Sequence, residues 1–193
     1  NGCFNFLYYS DECVVELSQT LPQDASTIGE HMKAAFGSSW KKVLYEKQLP
    51  EGEVEPGSPA LLVISLSALR SLEVLRGLRP LTRECQAAKL FSKHMKVEDQ
   101  VSFLKNHINI ASGTPSRIKK LLDMEVLGLS RLAVIVLDMH TDVKGYSLLS
   151  LPQVRDEFWT LYKSYFHQHL VEGDVRICLY GPVTVPPEVK REK

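Results

Sequence analysis

Cysteine is scarce: four thiols in 193 residues, at Cys3, Cys13, Cys85 and Cys178, none of them close to another. A disulfide framework would be denser, and a zinc site would need close pairs such as C-x-x-C, so both are excluded. Reduced, mostly buried thiols in an intracellular protein are the expectation. An excess of one charge is missing as well, with 23 lysines and arginines against 23 acids and a formal net charge of zero. Within this stretch that rules out a uniformly basic nucleic-acid coat and an acidic tail. No apolar run approaches the roughly 18 residues needed to span a bilayer, so no membrane is expected as a partner. The first residue is Asn1 and not methionine, so further sequence is expected upstream.

What charge there is lies unevenly. Residues 1–60 hold nine acids and four bases, whereas residues 89–120 hold seven bases and two acids. The basic stretch comprises Lys89, Lys93, Lys96, Lys105, Arg117, Lys119 and Lys120. A neutral protein can still offer phosphate one positive face, because the field is set locally; solvated helix and loop charges would give the same count.

Hydrophobic periodicity alternates between two kinds. Ala60 to Ile64 is a continuous apolar run, as expected of a strand buried on both faces. Leu69, Leu72 and Leu75 recur at helical spacing after Ser67, a good N-cap. Lys89 to Phe91 predicts a short strand, Val97 to Lys105 a helix, and His107 to Ala111 a third strand. Thr114 as cap and Pro115 in the first turn start a helix running to Met124. Leu132 to Leu137 is the strongest strand, stopping at Asp138; Pro152 opens a helix to about Leu170, and Val175 to Tyr180 is the last strand. Strand and helix in alternation mean βαβ units and a mostly parallel sheet covered on both faces. The first residues differ: a helix candidate from Ile28 to Tyr45, then a Pro/Gly/Glu-rich linker from Pro50 to Pro59. The organisation expected is an N-terminal extension and linker over 1–56, an α/β domain over 57–185 and a tail over 186–193.

In such sheets function sits beyond the carboxyl ends of the strands. The phosphate-cradling G-x-x-x-x-G-K-[ST] and G-x-G-x-x-G loops are both absent, as is the G-x-S-x-G nucleophile elbow. Gly37-Ser38-Ser39-Trp40-Lys41-Lys42 sets lysines near a glycine but lacks the second glycine and a preceding strand. His167 and His169 lie two apart on a helix and so point to different sides, which argues against a shared metal. Asp138 ends the strongest strand, where a metal-binding or general-base carboxylate would sit; a strand-end loop cap is the other reading. Asp142 is the next acid, and no glutamate stands beside Asp138 to activate a water.

Ala111-Ser112-Gly113-Thr114-Pro115-Ser116-Arg117 is the most specific local signal. A strand running into this turn aims backbone N–H groups, a threonine hydroxyl and a guanidinium at one point, which suits a phosphate. A well-capped helix with an exposed arginine fits the same residues. The segment Thr114-Pro115-Ser116-Arg117, thirteen residues after Val101 and ahead of Val136-Leu137-Asp138, resembles the first RecA-like domain of DEAD-box RNA helicases. There T-P-G-R lies on the RNA-binding face and V-L-D-E-A-D follows on the next strand. Leu62 to Arg76 resembles the segment around P-T-R-E-L-A, with Ser67 at its helix-starting threonine, and Tyr180-Gly181-Pro182 falls where S-A-T would be. At the D-E-A-D position the chain reads Asp138-Met139-His140-Thr141. Phosphoryl transfer needs the loop, the metal and a water-positioning group, so hydrolysis is not expected.

The phrases SALRSLEVLR, KLFSKHMKVEDQVSFL and GTPSRIKKLL, with the strand ending at Asp138, are similar to the Cms family of small-subunit ribosome-biogenesis proteins, subunits of the early pre-ribosomal particle. The resemblance implies an α/β, RecA-like fold, a charged region upstream of Asn1, and a nucleolar factor associated with precursor ribosomal RNA and processome proteins. No catalytic residue, metal or cofactor is expected. RNA contacts are expected from Thr114, Arg117, Lys119 and Lys120, joined by Ser67 and Arg70, with Asp138 and Asp142 as a degenerate acidic motif. Trp40 and Trp159 are candidate anchors for partner proteins, or core. Two other functions fit less of the chain: a nucleotide-hydrolysing enzyme using Asp138 and Asp142 with a partner's lysine, and a pure protein-interaction scaffold.

Overall fold

The residues that read as doubly buried strands form the middle of one sheet. In the computed structural model, which describes residues 13–45, 55–82 and 86–182, β1 (Leu61–Ile64) and β4 (Val134–Asp138) are buried at every position. Apolar side chains on both faces are what a strand covered by helices on both sides requires. β2 (Ala87–Leu90), β3 (Ile110–Gly113) and β5 (Arg176–Tyr180) complete a five-stranded sheet in the order β2-β3-β1-β4-β5. Every pairing is parallel; Val63, for instance, stands opposite Ser112 on one side and Val136 on the other.

The helices divide between the two faces. On one lie α1 (Ile28–Phe36), α2 (Trp40–Tyr45) and α3 (Ala68–Gly77), closing over Leu61, Val63, Val136 and Cys178. On the other lie α4 (Val97–Leu104), α5 (Pro115–Asp123), α6 (Pro152–Leu161) and α7 (His167–Glu172), closing over Leu62, Ile64, Ile135 and Leu137. Residues 13–45 share this core: Ile28 and Met32 are fully buried, and Val14 bridges to Ile177 in parallel alongside β5. Cys13 and Cys178 are buried, the Cys13 thiol donating to the Leu170 carbonyl at 3.2 Å and burial pushing Cys178 up to about 12; Cys3 and Cys85 lie outside the described residues.

Local chemistry explains the boundaries. Ser67 caps α3, its hydroxyl accepting from the Arg70 N–H at 3.3 Å, and Pro115 opens α5. The helix expected over residues 28–45 breaks at Gly37, which adopts φ +61°. The one expected from Pro152 winds a π segment over Tyr162–Phe166 before α7. The third strand lies further along than the apolar run suggested, because Gly113 extends it: a Cβ there would stand 2.1 Å from the Leu90 carbonyl oxygen, so only glycine lets β2 and β3 approach. Among the described residues no helix is long and apolar enough to cross a membrane.

Candidate functional site at the carboxyl ends of the strands

From β1 the chain moves to β2, returns through β3 between them, then crosses to β4 on the far side. The switch point therefore lies between β1 and β4, where doubly wound sheets open a ligand crevice. The first turn of α3 follows β1 into this place, and Asp138 with His140 follows β4. Asp138 is fully buried. Its Oδ2 accepts from Arg70 Nε at 2.7 Å, and its Oδ1 accepts from Arg70 Nη2 at 3.2 Å and lies 2.7 Å from His140 Nδ1. Burial alone raises the Asp138 carboxyl, but the hydrogen bonds and charges of His140 and Arg70 outweigh it and hold the group below its ordinary value of 3.8. Burial likewise opposes the Arg70 charge, and Asp138 and Glu73 more than offset it.

His140 continues the network outward. Its Nε2 lies 2.6 Å from the Gln23 carbonyl, which can only accept, so Nε2 carries a proton. Tyr180, at the end of β5, donates its hydroxyl to the Asp24 carbonyl at 2.7 Å; burial pushes that phenol up to about 12. Arg70, His140, Tyr180 and the 22–27 loop thus close the β1, β4 and β5 side of this surface. Both Asp138 oxygens are spent on this pairing. Asp142 is not brought to it: exposed in the following loop, its Oδ1 accepts from the Lys144 and Tyr146 amides at 2.9 Å. The arrangement holds three segments together and leaves no free carboxylate pair for Mg²⁺ or for activating a water, so these residues do not fit a bound nucleotide and its metal.

The β2 and β3 side differs. The Thr114 amide donates to the Leu90 carbonyl at 3.0 Å, setting the start of α5 beside the loop after β2. Thr114 is half-buried, and its hydroxyl makes no capping bond. Arg117 turns inward instead of outward. It is 9% exposed, donating from Nη1 to Gln100 Oε1 at 2.6 Å and to the Met95 carbonyl at 3.3 Å. Gln100 Nε2 in turn donates to the Lys89 and Phe91 carbonyls, sealing the outer edge of β2. Arg117 therefore positions the loop that carries exposed Lys93, His94 and Lys96, with His94 at φ +57°. Lys119 is bound to Asp123 at 2.7 Å, whereas Lys120 and Ser116 are exposed.

Arg117, Lys119 and Lys120 lie on α5 with Thr114 at its cap, and of these Arg117 faces inward. Sequence reasoning placed Ser67 and Arg70 with them, and the fold sets both on the strand-end surface nearer Asp138. His140 and Tyr180 stand at the positions of D-E-A-D and S-A-T, which gave them a place but no role, and nothing in the sequence pointed to Gln23. Trp40 and Trp159 are half-buried, Lys33 lying 4.9 Å from the Trp40 ring and Phe158 packing edge-on to Trp159. His169, Glu172 and Asp174 converge at the exposed end of α7, with one ligand atom each within 4.8 Å of the others.

Comparison with known proteins agrees with this architecture. Two similar solved structures are a DEAD box protein from the hyperthermophile Methanococcus jannaschii (TM-score 0.54, 18% identity, 81% of this chain and 37% of that one) and the yeast DEAD-box splicing factor Prp28 (TM-score 0.59, 12% identity, 86% and 36%). At these identities the likeness shows the RecA-like fold. Among curated proteins, CMSS1 of Xenopus laevis is 32% identical over 171 residues, covering 86% of this chain and 62% of the relative. CMSS1 of Homo sapiens is 32% identical over 158 residues, covering 80% and 57%. CMS1 of Chaetomium thermophilum is 38% identical over 115 residues, covering 58% and 46%. The chain thus spans less than two thirds of the length of these relatives. Residues 38–180 match the family described as CMS1, U3-containing 90S pre-ribosomal complex subunit, and the chain belongs to that family.

Proposed function

We propose that this chain is a non-catalytic, helicase-like assembly factor of the small-subunit precursor ribosome, working in the nucleolus and contacting precursor ribosomal RNA together with processome proteins. The observation that carries the reading is the β2–β3 end of the sheet, where Thr114, its hydroxyl making no capping bond, opens α5 beside the loop that bears exposed Lys93 and Lys96, while exposed Ser116 and Lys120 line a cleft with Asp156 and Glu157 of α6. Hydroxyls, helix N-termini and mobile ammonium groups are what a phosphate backbone takes up. Lys119 adds charge once released from Asp123, and Arg117 acts by holding the loop. Ser67 and Arg70 serve this surface from the side, as cap and as ion-pair partner. Lysines and a helix start engage the phosphate backbone, so the contact is modest in affinity and steep in salt. A hydrolase built on Asp138 and Asp142 is disfavoured, since both carboxylates are already committed to neighbouring donors.

The test is equilibrium binding of the 193-residue chain to a short single-stranded RNA across a salt series, with and without Mg-ATP. The expected result is weak binding, falling with a log–log slope of about −0.7 per phosphate contacted and indifferent to ATP. Binding that ATP alters would restore the enzyme reading. No binding at low salt would move the function to protein contacts, for which the fully exposed Val143 and the exposed Leu69 are available.

A further inference from the structure

Three consecutive carbonyls, at Pro22, Gln23 and Asp24, are each gripped by a different side chain. His31 Nε2 lies 3.0 Å from the Pro22 oxygen, His140 Nε2 2.6 Å from that of Gln23, and the Tyr180 hydroxyl 2.7 Å from that of Asp24. A fourth bond runs the other way, the Gly181 amide donating to Gln23 Oε1 at 2.8 Å. The loop is also knit internally: Thr27 Oγ1 donates to the Pro22 carbonyl, and the Ser26 amide to Asp24 Oδ1. At its far side the Ala25 carbonyl rests on Gly77, where a Cβ would come within 1.6 Å, so that seat exists only because residue 77 is glycine. These contacts come from α1, α3, β5 and the β4 loop, and they converge on the end of the sheet where ligands enter.

We infer that residues 22–27 are a strap that occupies the switch-point crevice in place of a ligand, with His140 as the pin tying it to the Arg70–Asp138 pair. His140 Nδ1 stands 2.7 Å from an ionised carboxylate while Nε2 donates to the strap, so the ring links the buried charge to the covering backbone. A nucleotide would have to displace at least four hydrogen bonds and would find Asp138 already paired. The strap thus closes the crevice, independently of whether the open side of the sheet contacts RNA.

Hydrogen exchange on the whole chain, with and without millimolar Mg-ATP, tests this. The amides of Asp24, Ser26 and Thr27 are expected to be protected, and Mg-ATP to leave them and the strand ends unchanged. His140→Ala should speed exchange in the strap about tenfold or more while the amides of β4 and α1 keep their rates. Tyr180→Phe, which removes only a hydroxyl, should do the same more weakly and decides the matter if His140→Ala does not fold. Strap amides exchanging at the unprotected rate, Mg-ATP slowing exchange at the strand ends, or a strap indifferent to the substitution that folds would each overturn the inference.

Discussion

The carboxyl end of this sheet is treated in two ways. Over β2 and β3 it is open: Lys93, Lys96, Ser116 and Lys120 are exposed, and the Thr114 hydroxyl makes no capping bond. Over β1, β4 and β5 it is shut, with Arg70, Asp138, His140 and Tyr180 spending their polar atoms on one another and on the 22–27 loop. The two arginines expected to touch RNA show what separates the halves. Arg70 and Arg117 both turn their guanidiniums into the protein, and the charges left for a partner are lysines, whose ammonium groups remain hydrated at little cost. A cation written in the sequence becomes glue or bait according to whether a buried acceptor lies within reach.

Substitutions can break that contrast in order of size. Arg70→Met should be the most damaging, costing about 3–5 kcal/mol in urea unfolding because Asp138 is left buried with only His140 beside it. Asp138 sits below its ordinary 3.8, so its contribution is present above that pH and is lost as pH falls through the lower folded value. The gap between wild type and Arg70→Met should therefore narrow in acid. A gap that widens there would place the stabilisation elsewhere. Arg117→Met should cost about 2 kcal/mol, leaving Gln100 Oε1 and the Met95 carbonyl short of a donor, and should loosen residues 92–96 in hydrogen exchange.

Gly77→Ala comes next, at about 1–3 kcal/mol, since its Cβ collides with the Ala25 carbonyl; faster exchange in residues 22–27 should accompany the loss in melting temperature. Smallest in stability is Lys120→Glu, within about 0.5 kcal/mol of wild type on an exposed helix face. That substitution should instead weaken RNA binding and flatten its salt slope by about 0.7. A stable Arg70→Met together with a destabilised Lys120→Glu would invert the comparison.

Periodicity and turn chemistry made most of the fold legible. The apolar runs at 60–64 and 132–137, the Ser67 cap and the Pro115 start all lie where alternation and capping put them. Register was harder: β3 extends to Gly113 because of a close strand approach that no local pattern encodes. The Thr114 turn and the basic stretch of the candidate site were visible. The Arg70–Asp138 pair, 68 residues apart, was not, because only the parallel order of β1 and β4 brings those positions together. The strap is a longer-range case still: Gln23 meets His140 across 117 residues. A helix wheel cannot tell that Arg117 points inward, since that depends on Gln100 filling the edge of β2.

The most direct test sets the two halves side by side. Binding to single-stranded RNA would be followed across a salt series for the wild-type chain, for the triple reversal Lys93→Glu, Lys96→Glu and Lys120→Glu, and for His140→Ala. The reversal should abolish binding at moderate salt, while His140→Ala should leave affinity and slope where they were. Binding that survives the reversal, or that depends on His140 instead, would contradict the assignment of RNA to the open side of the sheet.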